Sequence, residues 1–289
     1  MKRILLCSSI CLCLMAMIAC HDESVLTPTE QPEMGYVLPQ GNHDFDKRIV
    51  AWQEKANFFI LYKFADKDIR WQYNTWLDEE EITYTFADTN YINKQLDLIE
   101  SKFLNFYSLD ILRKGMPLKL MLLGQLDDYS SYVHKHNIYV NFDGFAMAWG
   151  DNSIDNMTAA QRNAFKTDVN QAFVKRLTSK GLLRVPEAFS KVSVYDSEYY
   201  YRNEMYGLGF LALNQSVDAT RDFNKYVEVI LANPKSFLES PSTNTSTHEG
   251  ILTDAKDVNG LIRLKYKAVV EYFNSLGIDI QGIGDAVEK

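Results

Sequence analysis

All four cysteines of the chain, Cys7, Cys11, Cys13 and Cys20, fall within the first twenty residues. Whatever domain follows must therefore hold together without a disulfide and without a thiolate-bound metal. Packing has to supply the stability. About 270 residues remain after residue 20, enough to bury an adequate core in one large or two small domains.

Lys2 and Arg3 precede Ile4 to Ala19, a stretch with neither charge nor proline, which has the form of an export signal. It is shorter than the ~18 or more apolar residues a spanning helix needs. It runs into Met17-Ile18-Ala19-Cys20, which resembles the cleavage box of bacterial lipoproteins. The expectation is that residues 1–19 leave as a signal peptide and that Cys20 carries the lipid. Each buried acyl methylene contributes ~0.8 kcal/mol to anchoring, so a multiply acylated terminus holds without a basic patch. Loss of Lys2 and Arg3 takes the formal charge of −8 to about −10, an acidic surface that argues against nucleic acid as partner. Asp22 and Glu23 directly after the cysteine resemble a signal for display at the surface of the outer membrane.

Prolines 28, 32 and 39 with Gly35 and Gly41 mark residues 20–43 as a lipidated N-terminus and flexible tether. A single domain is expected over 44–289. Residues 45–55 read as a short helix, and 58–64 as an apolar strand. Ile92, Leu96, Ile99, Phe103 and Phe106 recur at helical spacing. Residues 118–123, 138–142 and 145–149 read as strands, the last two around the turn pair Asp143-Gly144. The most regular helix spans 158–179, with Phe165, Val169, Phe173 and Leu177 on one stripe and Gly181 as its stop. Further helices are expected at 222–231 and 258–276, and a mobile polar loop at 240–250. Early strands followed by later helices predict an α+β domain.

The motifs of common enzyme classes are missing: no GxSxG, no Walker loop, no dinucleotide fingerprint and no HExxH occur. His134 and His136 alternate along a strand edge downstream of Asp127 and Asp128 and are weak metal candidates; a polar turn leading into a strand explains them as well. His248 falls in the polar loop, where no role is expected. Tyr195, Tyr199, Tyr200, Tyr201 and Tyr206 offer rings either for stacking on a sugar or peptide or for packing, and packing is the commoner use.

Over nearly the whole mature chain the sequence resembles the putative zinc-binding metallopeptidase lipoproteins, surface proteins often encoded beside outer-membrane nutrient importers. The likeness rests on Phe59 to Phe64, Glu187-Ala188-Phe189, Leu208-Gly209-Phe210, Asp222-Phe223 and above all Lys265 to Ile280 (KYKAVVEYFNSLGIDI). It implies a zincin-like metallopeptidase fold with a degenerate active-site helix. Where the family carries HExxH, this chain reads Gln171, Ala172 and Lys175, and the later acidic ligand falls at Lys225. Histidine is missing between 136 and 248, so no change of register restores the motif. No catalytic residue and no cofactor are expected. The resemblance implies instead a silent domain binding a polymer or protein partner near an importer; a metal-dependent hydrolase with a non-standard site, built for example on His134 and His136, is the alternative. It also places Lys175 and Lys225 in one cleft, where two ammonium groups need a carboxylate or solvent.

Overall fold

The computed structural model describes residues 35–70, 82–128, 134–195, 202–211 and 218–288. The signal segment, Cys20, Asp22, Glu23 and Tyr199 to Tyr201 lie outside them. Of the predicted strand at 58–64 only the centre pairs, as β1 (Phe59–Leu61). β2 (Ile82–Phe86) and β3 (Lys119–Asp128) follow, then β4 (His134–Lys135), β5 (Ile138–Val140) and β6 (Gly144–Met147).

β3 belongs to two environments. Its first half pairs in parallel with β1, Phe59 opposite Lys119, and with β6, Leu120 opposite Phe145. Covered on both faces, that half needs an unbroken apolar run, and Leu120 to Leu123 are fully buried. The second half takes antiparallel partners, β2 and β4. β5 returns antiparallel along β6 through a tight hairpin in which Asn141 N donates to Gly144 O at 3.1 Å. β2 is not foreshadowed in the sequence: it exposes three of its five residues, so it lacks the alternation that would betray it. β4, at the strand edge expected to carry His134, is only two residues long.

Helices α1 (Asp46–Ala56), α2 (Ile92–Lys102), α3 (Leu109–Gly115), α4 (Ala159–Ser179), α5 (Ala219–Ala232), α6 (Leu261–Ser275) and α7 (Ile280–Asp285) surround the sheet. The mixed helix and sheet content fits the α+β expectation. One continuous apolar core joins sheet and helices. Within it Phe173 meets Phe103 and Tyr107 edge-on at 5.2 and 4.6 Å between centroids, a geometry favoured by ring quadrupoles. Each such fully buried side chain contributes ~1.5–3 kcal/mol. Gln95, on α2, is buried and donates to the carbonyls of Leu123, Met147 and Ala148 at 2.9–3.0 Å, which fixes the ends of β3 and β6 to one another.

Two expectations need correcting. The folded unit starts at Leu38, before the expected Asp44: Gln40 Oε1 accepts from Tyr62 N at 2.8 Å, and Lys63 Nζ donates to Gln40 O at 2.9 Å. The polar loop at 240–250 is pinned. The Lys256 ammonium donates to the carbonyls of Asn244, Thr247 and Glu249 at 2.5–2.8 Å, giving the loop an internal cation that its composition hides.

Candidate functional site

Thr158 caps α4 by a reciprocal box: Gln161 N donates to its hydroxyl at 3.2 Å, while Thr158 N donates to Gln161 Oε1 at 2.9 Å. Two otherwise orphaned N–H groups are thereby satisfied. The inward face carries the expected stripe Phe165, Val169, Phe173 and Leu177, all buried. It also carries two polar groups that periodicity could not flag. Asn170 accepts from the Tyr107 hydroxyl and donates to Lys102 O, both at 2.8 Å. Lys166 Nζ donates to Ile283 O at 2.8 Å and Gly284 O at 3.2 Å; burial, then the charge of Lys102, pushes its amine down to about 8.

The outward face of α4 borders a groove of about 950 Å3. Asp168, Gln171, Ala172, Lys175 and Arg176 form one wall, and Ile138, Val140 and Phe142 the other. The second wall is the sheet edge, because β5 pairs with β6 alone among the described strands. Ala148 N donates to Asn137 O and Asn141 N to Gly144 O, so alternation turns the N–H and C=O of Ile138 and Val140 away from β6, towards the open side. Phe142 is 81 % exposed at the groove's end. Arg176 spans the walls, donating to Gly115 O and Phe142 O at 3.0 and 3.2 Å.

Gln171 and Lys175 also line a neighbouring pocket of about 260 Å3 with Arg221, Lys225 and Glu228 of α5. The two lysines therefore meet one cleft. Lys225 Nζ is 2.6 Å from Glu228 Oε1, so its charge is balanced within its own helix. Lys175 is exposed and forms no ion pair among the described residues. This donor set does not fit zinc: Ala172 has no ligand atom, and an ammonium has no free lone pair. Among the described residues no three His, Cys, Asp or Glu side chains stand close enough to hold a metal ion.

The pinned loop adds a group that sequence reasoning dismissed. His248 is half-buried, and burial, then the charge of Lys225, lowers its pKa from the ordinary 6.5. No periodic signal places a loop histidine beside a helix, so only the fold reveals it. His134 lies opposite Asp128 in the β3·β4 ladder, and Lys135 opposite Asp127; the side chains of Asp128 and His134 lie outside the described residues. His136 lines a different pocket together with Asp127.

Behind α5, Asp222 and Lys265 form a fully buried ion pair at 2.6 Å. The Tyr195 hydroxyl donates to the same carboxylate at 2.9 Å, and Lys265 Nζ also donates to Gly209 O at 3.0 Å. The rings of Phe189, Tyr195, Phe210 and Tyr226 lie 4.2–5.9 Å from the ammonium, within cation–π range. Tyr195 and Tyr206, from the tyrosine-rich segment, are thus used in packing; Tyr206 is buried.

No family model and no curated protein matches the chain. Among solved structures it is similar to one named a putative zinc-binding metallo-peptidase, from Bacteroides caccae ATCC 43185, with a TM-score of 0.55 and 16% identity over 83% of this chain and 88% of that chain. At that identity the likeness is one of fold, and it supports the metallopeptidase resemblance at that level.

Proposed function

We propose that this chain is a lipid-anchored outer-membrane protein, held through Cys20 and displayed at the cell surface, whose metallopeptidase-like domain binds an extended polypeptide without cleaving it. The observation that carries this reading is the edge of β5, unpaired among the described strands, facing α4 across the groove. Backbone groups of Ile138 and Val140 can add a strand from a partner, which is the general mode by which sheet edges take peptides. Exposed Val140 and Phe142 supply apolar contact beside that edge. Catalytic silence rests on Gln171, Ala172, Lys175 and Lys225, which supply neither a zinc set nor a general base. A partner at an outer-membrane importer is the proposal's outermost step, supported by the family resemblance alone.

The test is a pair of measurements on the purified mature protein. Equilibrium dialysis against zinc followed by metal analysis should find no stoichiometric ion, and unstructured peptide substrates should remain intact. A photo-crosslinker at Val140 should capture added peptide. Tightly held zinc with chelator-sensitive cleavage would establish the alternative, a metal-dependent hydrolase.

A further inference from the structure

Trp149 holds a backbone φ of +77°. For a bulky side chain that conformation is an outlier, costing about 1–3 kcal/mol where glycine would cost little. Three bonds keep it there. Trp149 N donates to Gly124 O at 2.9 Å and Gly150 N to Leu123 O at 2.8 Å. The indole Nε1 donates to Asn137 Oδ1 at 2.7 Å. A strained residue whose ring is also anchored at its polar end is a residue placed for its side chain.

That side chain lines a pocket of about 460 Å3 at the amino-terminal end of α4, inside the ~300–1,000 Å3 range of small-ligand sites. Gly124, Leu126, Ala148 and Ala164 complete the apolar part. The polar part comprises Gln125, Asp127, His136, Asn137, Ser153, Asn156 and Gln161, with no lysine or arginine. Asp127 Oδ1 is buried without a hydrogen-bond partner among the described residues. The exposed Asn156 amide and Gln161 Nε2 carry no bond among the described residues, whereas Gln161 Oε1 is taken by Thr158. An anion finds no lysine or arginine here and meets the Asp127 carboxylate, and a lone carboxylate is a poor cage for a cation. Amides, a hydroxyl, an imidazole and one carboxylate around an indole match a neutral polyhydroxylated ring, whose hydroxyls both donate and accept and whose C–H face is apolar.

We infer that this pocket is a binding site for a neutral pyranose sugar, with Trp149 as its apolar platform and Asp127, Asn156 and Gln161 as hydroxyl partners. The site is separate from the peptide groove, although both lie along α4; the Asn137 Nδ2 to Asp168 bond of 2.7 Å stands between them. It holds whether or not the groove takes a polypeptide.

Saturation-transfer NMR of the mature protein with free glucose, galactose, mannose and N-acetylglucosamine tests it, alongside Trp149→Gly and Asn156→Ala. Glycine suits φ +77°, so the first variant removes the ring and relieves the backbone; the second alters an exposed residue and leaves the core untouched. Saturable binding of at least one sugar, weakened about tenfold or more in either variant, is the expected result. No saturable binding by the parent protein, or equal binding by both variants, would overturn the assignment. If Trp149→Gly fails to fold, Asn156→Ala decides alone.

Discussion

The Lys265 ammonium lies 2.6 Å from the Asp222 carboxylate, and neither side chain has any solvent exposure. Burial drives both groups towards their neutral forms, raising the aspartate and lowering the lysine, while each charge pulls the other back. Removing one partner strands the other. Asp222→Ala should lower the unfolding free energy by about 3–5 kcal/mol, whereas the double replacement Asp222→Leu with Lys265→Met should recover most of that loss. Denaturant midpoints at constant m-value measure both; a single variant as stable as the parent would show that the pair contributes nothing.

His248 gives the protein a pH dependence of definite sign. Its folded pKa is depressed below 6.5, so between the two values the unfolded chain binds more protons. Stability contributed by the neutral imidazole is present above pH 6.5 and lost as pH falls through the folded pKa. His248→Gln should flatten the decline in melting temperature below pH 6.5, read by calorimetry across that window. An unchanged slope would place the titration elsewhere.

Lys175, Arg176 and Lys180 bring positive charge to the groove, and Lys175 forms no ion pair among the described residues. If the polypeptide reading holds, peptides with an acidic residue should bind more weakly as salt rises, and Lys175→Glu should reduce that salt dependence. Fluorescence anisotropy with paired acidic and neutral peptides measures it; indifference to both salt and substitution would mean the ammonium is merely solvated.

Placement of the degenerate centre can be tested by rebuilding it. A variant combining Gln171→His, Ala172→Glu, Lys175→His and Lys225→Glu should bind zinc where the parent does not, because i and i+4 histidines share one helix face. Metal analysis after dialysis reads the outcome. Failure of a folded variant to retain zinc would show that α4 and α5 do not present those positions to one point.

If Cys20 carries the lipid as proposed, Cys20→Ala should move the protein from the membrane to the soluble fraction, since the chain has no cysteine after residue 20. Continued need for detergent would refute lipidation at that residue.

Much of this architecture is visible in the residues, and the exceptions are physically explicable. The stripe of α4 follows from spacing by four, and its start from Thr158 and Gln161. β3 was foreseen only as its apolar half, since Gln125 and Asp127 in the second half break the run. Lys166, Asn170 and Gln95 read as surface groups until the carbonyls they satisfy are brought over them from distant segments. Three of the groove's α4 residues, Gln171, Ala172 and Lys175, stand at positions singled out from the sequence, and Lys225 lines the neighbouring pocket. The groove's far wall was not legible, because which strand ends at an edge is decided by pairing. Trp149 was read as the last residue of a strand; nothing in a sequence announces a positive φ on tryptophan.

The parallel pairing of Phe59 with Lys119 has a kinetic consequence. Closing that ladder requires a loop of roughly 60 residues to form before any of its hydrogen bonds can form, and β6 cannot dock until β3 is in place to receive it. Topologies built on such distant contacts fold slowly. A chain that reaches its native sheet slowly stays unfolded for longer after synthesis, a delay that would suit the export proposed above.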